Sequence, residues 1–422
     1  MRLDPFDPGC GRDPAATWRR LLGEGPGVCL DPGLGLWIVA GYDNVRDVLG
    51  DARRFGTAAT LTPVTPLTGA ALALLTSVHM TPGVVTSDPP EHTRLRSVLR
   101  SVIPGTAGAV RERWLPVVRQ RAEQMVDELS EHATVDLVDQ FSRRLPLLVM
   151  LDVLGLPAED ATMIDHCSAA TVELIWGRPT AAKQLPALYR FLELREYCRA
   201  LVRVRLTTAR PSPGVLGDLL TYRSGNEALL SVEQATALLF DLLTVGLTST
   251  AAALGHALEH TLADAKRWGR VAGDPHHRTT LIEESLRYSP GTDGWLRLAT
   301  TDTVISDVTI PAGSRCLVLL GSAGHDQTVY PDPHIFDPAR ARLSRHLAFG
   351  YGPHQCLGAA LARLVLSTAL GTLARRLPAL RLGADHTRRF RPSVVTRAHT
   401  AMPATTADSR CLVPDGPAGA QR

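Results

Sequence analysis

Apolar residues recur every three or four positions along most of this chain, which is the repeat of an amphipathic helix. The pattern runs through residues 105–209, with a brief strand-like interruption at 135–138, and returns in the strongly apolar segment 231–262. Ser231 followed three residues later by Gln234 forms a capping box at the start of that segment. Residues 281–287 give another helical pattern. The chain is therefore predicted to be mainly helical, with one long apolar helix.

Shorter apolar segments predict a smaller β region beside the helices. We expect strands at 36–40, at 295–299, near 380 and at 393–396, and a hairpin formed by 307–311 and 314–320. Short helices are predicted at 15–22 and 42–49, whereas 55–85 has little periodicity and is predicted to be a long loop. The β-rich parts thus fall near 30–60, 295–320 and 380–403. Since no long linker divides the chain, we predict a single domain over 1–403 and a small, polar, disordered tail at 404–422.

Composition narrows the class of protein. The chain has 422 residues, is 45% hydrophobic and carries a formal net charge of +3, which indicates a globular protein and gives no reason to expect nucleic acid as a partner. Its seven cysteines show no ligand spacing, which favours a reducing compartment. The first 20 residues are too polar for a signal peptide or an anchor, and no apolar run was expected to reach membrane length. The sequence predicts a cytoplasmic protein without a membrane segment.

A single cysteine stands in a glycine-rich turn at 349–358, Phe-Gly-Tyr-Gly-Pro-His-Gln-Cys-Leu-Gly. The alternating glycines and the proline predict a tight turn that lets backbone approach a flat group. An apolar helical run follows, so Cys356 is expected where a loop enters a helix, and the positive end of a helix favours a thiolate. Such a thiolate suits the axial position of a metal. The alternative is a buried, inert thiol.

This stretch resembles the haem-binding loop of the cytochrome P-450 family, Phe-Gly-x-Gly-x-His-x-Cys-x-Gly. Every fixed position of the pattern is filled, by Phe349, Gly350, Gly352, His354, Cys356 and Gly358. The resemblance implies the fold of that family: mainly α with a smaller β region, and a single haem b between a long distal helix and a proximal cysteine loop. It makes Cys356 the ligand of the haem iron, where a thiolate favours O–O bond cleavage.

Other segments match the same family in order and spacing. His92 and Arg96 lie four residues apart on one predicted helix, and alone they would be interpreted as a solvated surface pair. The resemblance instead implies that they bind a haem propionate, with Arg297 as a second propionate arginine. By family position, the residues expected to contact the substrate are Val245, Trp295 and Thr400.

The long helix carries the family's oxygen-binding segment with a departure. Gly246 matches and could let the helix loosen over a ligand, but Thr248 takes the place of the usual acid and Ser249 that of the usual threonine. Thr248 cannot act as an acid at neutral pH, so we predict that water, Ser249 or a substrate group delivers protons. The alternative is that these hydroxyls bond to carbonyls of their own helix, which we expect for Thr244 and Thr250 rather than for Ser249.

A second pair has a structural assignment. Glu284 and Arg287 are three residues apart and match a buried pair that lies behind the haem loop in the family. As an isolated pair they would be interpreted as solvated, with little contribution to the stability of the protein. In the family, a second arginine often joins this pair to form a cluster of three residues. The position expected for that arginine holds Ile335, so the third member is unassigned.

The resemblance implies a monomeric enzyme that activates O2 reductively, with electrons from a ferredoxin and a ferredoxin reductase. A docking surface was expected at Arg340, Arg342, Arg345 and Arg363, with ordinary solvated arginines as the alternative. The missing acid suggests oxidative coupling or cyclisation of an aromatic or cyclic-dipeptide-like substrate, besides hydroxylation, in natural-product biosynthesis. The alternatives are a non-catalytic haem-binding or carrier-docking protein and a peroxide-driven enzyme, although the latter usually needs an acid or arginine near the distal iron.

Overall fold

The computed structural model describes residues 3–6, 14–23, 25–208, 213–225 and 230–406. Most of the predicted tail and part of the predicted loop at 211–214 lie outside these ranges. The helices are α1 (Pro14–Gly23), α2 (Tyr42–Gly50), α3 (Gly69–Ser77), α4 (Glu91–Val102), α5 (Ala107–Ser130), α6 (Arg144–Leu154), α7 (Ala161–Trp176), α8 (Ala181–Thr207), α9 (Gly214–Gly225), α10 (Val232–Leu262), α11 (Ala265–Val271), α12 (Pro275–Tyr288), α13 (Leu320–Gly324) and α14 (Ala359–Arg376).

Three small sheets accompany the helices. The strands are β1 (Val28–Asp31), β2 (Leu36–Val39), β3 (Phe55–Gly56), β4 (Thr134–Asp136), β5 (Trp295–Ala299), β6 (Thr303–Ile305), β7 (Val308–Ile310), β8 (Arg315–Val318), β9 (Arg381–Leu382) and β10 (Pro403–Thr405). The largest sheet has the order β1-β2-β8-β5-β3, in which β2 and β8 are parallel and the other neighbours antiparallel. The mainly helical fold with a smaller β region is confirmed.

The β region differs from the sequence prediction in its pairings. The predicted hairpin does not form, because β7 pairs with β6 while β8 pairs with β2 and β5. Residues 393–396 are not a strand, and the region 55–85 contains the helix α3 as well as loop. Residues 404 and 405, predicted to begin a disordered tail, instead belong to β10, which pairs with both β4 and β9. These pairings join segments far apart in sequence, which local patterns do not reveal.

Helix α10 is the central element of the fold. Its predicted capping box is present: the Ser231 hydroxyl accepts from the Gln234 amide (3.1 Å), and the Gln234 side chain accepts from the Ser231 amide (2.9 Å). The helix packs against α6, α7, α8, α12 and α14. Among the described helices, α10 alone is long and apolar enough to cross a membrane, contrary to the prediction that no run reaches this length. However, 56% of its most apolar window is buried inside the protein, as in a core helix.

Glu284 and Arg287 form a fully buried pair on α12. Two hydrogen bonds of 2.7 Å join the guanidinium to the carboxylate, and both side chains are 0% exposed. Arg287 also donates to the carbonyl oxygens of Gly324 and Pro333, while Glu284 accepts from the Asp337 amide. The interpretation as a solvated pair is therefore wrong, because every charge here is enclosed and paired.

The third member of this cluster is Arg340. Its Nε lies 3.5 Å from Glu284, and its side chain is 8% exposed. The family pattern places this arginine at the position of Ile335, whose side chain is exposed and whose carbonyl oxygen accepts from Arg287. The cluster is complete, but its second cation lies five residues further along the chain than the position of Ile335.

We expect Glu284→Gln to destabilise the protein by about 3–5 kcal/mol, because it leaves the enclosed Arg287 charge uncompensated. Unfolding in urea, followed by far-ultraviolet circular dichroism, measures this change. Glu193→Gln is the matched control, since Glu193 pairs with Arg190 at the same spacing but on the surface. It should cost less than about 1 kcal/mol. Equal losses in the two variants would contradict the structural role of the buried pair.

Candidate functional site

A cavity lies between the middle of α10 and the cysteine-bearing turn at 349–358. The strand β5 and the start of α4 close it at one edge, and the residues 84–85 close it at another. Of the predicted site residues, it brings together His92, Arg96, Val245, Gly246, Ser249, Trp295, Arg297, Phe349, Gly350, His354, Cys356 and Gly358. These predicted residues come from four parts of the chain, α4, α10, β5 and the cysteine turn, and converge on one space.

The turn that carries Cys356 is fixed by its glycines. Gly350 and Gly352 have φ of 72° and 74°, a conformation that side chains with a Cβ rarely adopt. A Cβ on Gly352 would also lie 2.6 Å from the carbonyl oxygen of Leu49. The amide of Cys356 donates to the carbonyl oxygen of Phe349 (2.9 Å), which closes the turn. The sequence prediction of a tight turn ahead of a helix agrees with this geometry.

The Cys356 thiol lines the cavity just before α14 begins at Ala359. Burial raises the pKa of this thiol, while the backbone N–H groups of Gly358 and Ala359 and the charges of Arg96 and Arg363 act in the opposite direction. These donors are what a helix N-terminus offers to a thiolate sulfur. The sulfur of Cys356 is therefore able to act as a metal ligand.

Four basic side chains face the same cavity. The rings of His92 and His354 lie 3.8 Å apart, and Arg96 donates to the Gln355 carbonyl oxygen in the cysteine turn. Arg297 is 2% exposed, and its one hydrogen bond among the described residues is donated to the neighbouring Leu296 carbonyl oxygen. His92 is buried and Arg96 is half-buried, and both line the cavity, so the alternative of a solvated surface pair does not apply.

Burial and mutual repulsion set the protonation states of these four side chains. Burial lowers the pKa of Arg297 to about 10, well above neutrality, so it stays charged. Burial, with the charge of Arg96, lowers the pKa of His92 to about 4, and burial, with Arg297, lowers that of His354 to about 2. Two cations and two neutral imidazoles therefore face the cavity at physiological pH.

These groups have donors without acceptors among the described residues. Both ring nitrogens of His92, Nε of Arg96 and Nε2 of His354 are buried and unpartnered. Buried donors of this kind are rare unless a ligand satisfies them. A flat group with two carboxylates at its edge and a metal at its centre would satisfy the basic cluster and the Cys356 sulfur together. The residues present thus fit iron protoporphyrin, and they define a haem-thiolate site.

The distal wall of the cavity is one face of α10. The residues of α10 that line it are Asp241, Leu242, Val245, Gly246, Ser249, Thr250 and Ala253, whereas Thr248 does not line it. The helix is continuous through Gly246, and a Cβ there would lie 2.8 Å from Met150 Cε. The glycine thus accommodates Met150.

Of the three hydroxyls considered on this helix, that of Thr250 behaves as predicted, whereas those of Ser249 and Thr244 do not. Ser249 Oγ donates to the Val245 carbonyl oxygen (2.8 Å) and Thr250 Oγ1 donates to that of Gly246 (2.9 Å). Bonding of Ser249 to its own helix was not expected. Thr244 was expected to make such a bond, but its buried hydroxyl has no partner among the described residues. Ser249 therefore offers the cavity its lone pairs while its proton is engaged.

Two further predictions concern the pocket walls. Trp295 lines the cavity, and its ring lies 5.6 Å from that of Trp176. Thr400 was placed wrongly: it lines a separate cavity that also contains Asp293 and Arg397, and its hydroxyl bonds to the Arg389 carbonyl oxygen. A turn here does run back toward α10, but His399, rather than Thr400, contacts that helix, where it lies beside His256.

The predicted docking arginines divide into two groups. Arg340 belongs to the buried cluster, and Arg363 is bonded to Glu283 (2.6 and 2.9 Å), so neither is a free surface cation. Arg342 and Arg345 are exposed. Although burial opposes it, bonding to Arg363 and His346 holds the pKa of Glu283 at about 2. This second ion-pair network joins α12 to the elements on both sides of the cysteine turn.

One residue of the site was missed by the sequence analysis. Asp241 is 3% exposed and is the one acidic side chain among the described residues that line the cavity. It precedes Val245 by four residues and Ser249 by eight, so the three share a face of α10. The sequence does contain a signal for this residue, because an acidic side chain here interrupts a largely apolar stripe of the helix.

Comparison with known proteins agrees with the haem-thiolate assignment. A sequence model of the family Cytochrome P450 matches residues 279–398. Cytochrome P450 107B1 of Saccharopolyspora erythraea is 32% identical over 88% of this chain and 89% of its own length. Mycinamicin VIII C21 methyl hydroxylase of Micromonospora griseorubida is 32% identical over 83% of this chain and 84% of its own. The structure of cytochrome P450 CREJ in complex with (4-ethylphenyl) dihydrogen phosphate has a TM-score of 0.89, 26% identity, and coverage of 96% and 98%.

The chain belongs to the cytochrome P450 family. Its cofactor is haem b, and the fold is that of the family. Cys356 is the residue that would ligate the iron, while Arg96, Arg297, His92 and His354 would hold the propionates. When bound, haem b supplies the iron at which O2 is activated, and the thiolate ligand tunes that chemistry.

We expect Cys356→Ser to abolish the absorption band that gives the family its name when the reduced protein binds carbon monoxide, because serine cannot replace a thiolate ligand. Cys29→Ser is the control, since Cys29 lies in β1 and does not line the cavity. The assignment of the iron ligand fails if the band survives in Cys356→Ser.

We expect Arg96→Leu to release haem roughly 10- to 100-fold faster than the wild type, which corresponds to the loss of a charge-assisted hydrogen bond of about 1.5–3 kcal/mol. Transfer of haem to an excess of apomyoglobin measures the rate. Arg100→Leu removes the same charge from the exposed face of α4 and should leave the rate unchanged. Equal rates in both variants would argue against propionate binding by Arg96.

Proposed function

We propose that this protein oxidises a small natural product with O2, using electrons from a ferredoxin and its reductase. The observation that carries the proposal is the site itself: a cysteine-centred haem cradle beneath a distal wall of apolar side chains, among them Val84, Met150 and Val245. Such a wall excludes water and holds an organic substrate over the cofactor. Hydroxylation is supported by similarity to the mycinamicin methyl hydroxylase.

A second reaction, oxidative coupling or cyclisation, is favoured by the distal helix. O2 reduction consumes protons, yet Thr248 has no acidic proton and Ser249 donates its own to the Val245 carbonyl oxygen. We infer that protons come from water or from the substrate, with the Ser249 lone pairs positioning the donor. A substrate with its own N–H or O–H would then lose hydrogen and form a new bond within itself or to a second molecule.

The surface beside the cysteine turn fits an acidic redox partner. Exposed Arg342 and Arg345 lie near it, and Arg46 is placed over the ring of Tyr351, which is 39% exposed and belongs to the turn. Positive charge close to a buried cofactor steers an acidic electron carrier toward it. We propose this group, in place of Arg340 and Arg363, as the ferredoxin contact.

The proton proposal is tested with Thr248→Glu and the matched Thr248→Gln, which has the same length but no acidic proton. A substrate found by a screen of haem absorbance is oxidised under labelled O2, and label incorporation and the yield of product per NADH are measured. We expect Glu, and not Gln, to raise the yield per NADH by roughly two-fold or more, since general acids typically accelerate proton transfer by far larger factors. Equal yields in the two variants would refute the proton limitation, and label in every product would refute coupling.

A further inference from the structure

We infer that Asp241 is the binding point for a positively charged group of the substrate, so that this enzyme takes a basic, amine-bearing molecule. The inference rests on the proposed function, because it concerns the ligand held in the same cavity. It starts from the position of the carboxylate, which lies on the cavity-lining face of α10 and is 3% exposed.

The carboxylate has hydrogen bonds but no counter-ion. Its Oδ2 accepts from the amide of Val85 (3.0 Å), and a Cβ on Gly83 would lie 2.2 Å from the same atom, so residues 83–85 pack closely on it. No arginine, lysine or histidine of the described chain forms an ion pair with it. The basic side chains that would hold the haem propionates do not shift its pKa either. A buried charge without a partner is costly, and a bound cation removes that cost.

The protonation of Asp241 agrees with this assignment. Burial raises its pKa to about 7, against the opposing effect of the Val85 and Val84 amides. The one titratable neighbour among the described residues is Cys198 of α8, whose own pKa is raised further by burial, and it is uncharged at neutral pH. Asp241 is therefore poised to be a carboxylate when a cation approaches, and a cation beside it would lower the pKa again.

The spacing along α10 defines the shape of the ligand. Asp241 precedes Val245 by about 6 Å and Ser249 by about 12 Å along the helix axis. The neighbouring walls are apolar, formed by Val84, Met150 and Leu242. The fitting ligand thus has a cationic end at Asp241 and an apolar body directed toward the centre of the cavity. Its oxidised atom would lie roughly 6–12 Å from the charge.

A purely structural reading assigns Asp241 to holding residues 83–85 in place. Asp241→Asn separates the two readings, because the amide oxygen can still accept from Val85 while the charge is removed. Asp139→Asn is the control, since it removes the same charge from an exposed position on the surface. If Asp241→Asn fails to fold, the ligand comparison on the wild type still decides the question.

The probe pair is (4-phenylbutyl)trimethylammonium and the same molecule with carbon in place of nitrogen. Neither compound can coordinate iron, and neither titrates. Binding to the haem-loaded protein is measured by the shift of haem absorbance and by equilibrium dialysis. We expect the cation to bind roughly 10- to 100-fold more tightly than its isostere, as for a buried charge-assisted contact. Asp241→Asn should abolish this preference, and Asp139→Asn should keep it.

The pH dependence gives an independent outcome. Because the pKa of Asp241 is raised to about 7, the carboxyl is largely neutral at pH 6 and charged at pH 8. Affinity for the cation should therefore rise between these values, while affinity for the isostere stays constant. Equal affinities for both probes in the wild type overturn the inference and leave the proposed function standing. Absence of binding by either probe, and by every compound of the absorbance screen, refutes the proposed function.

Discussion

The arrangement of this protein depends on positive charge that converges on one cavity, where Arg96 and Arg297 form no ion pair with any described residue. Arg297 is buried to 2% exposure with a single backbone acceptor, and Arg96 reaches the cysteine turn from a different helix. Neither position is stable in isolation, because a buried cation needs an anionic or hydrogen-bonding partner. The two carboxylates of haem b would supply that partner. Cofactor binding and the correct meeting of α4, β5 and the cysteine turn would then be coupled.

The side of the cavity that carries the cysteine turn is held by two ion-pair networks, which start at adjacent residues of α12. Glu284 faces Arg287 and Arg340, whereas Glu283 faces His346 and Arg363. The first network bonds α12 to the carbonyl oxygens of the meander before the cysteine turn. The second bonds the same helix to the turn's entrance and to α14. A loop with two left-handed glycines has little rigidity of its own, so these contacts fix the direction of the sulfur.

The sequence was sufficient for those features that a local pattern encodes. The helices, the capping box at Ser231 and the cysteine turn all rest on residues close in sequence. It failed where distant segments meet: β8 pairs with β2 and β5 rather than with its predicted neighbour, and Thr400 faces another cavity. Arg340 was missed because a fixed spacing was assumed, although a long side chain reaches Glu284 from a neighbouring turn. Such contacts depend on tertiary packing, which a pattern along the chain does not contain.

The cavity-lining face of α10 bears on two tasks, the delivery of protons and the recognition of the substrate. In this chain the acid is absent at Thr248 but present two turns earlier at Asp241. At about 12 Å along the axis from Ser249, that carboxyl is too distant for direct proton transfer, which needs a hydrogen bond or one intervening water. It is, however, within reach of a substrate whose other end lies over the cofactor. The position of the acid therefore favours the inferred recognition of the substrate over delivery of protons, which we propose come with the substrate or with water.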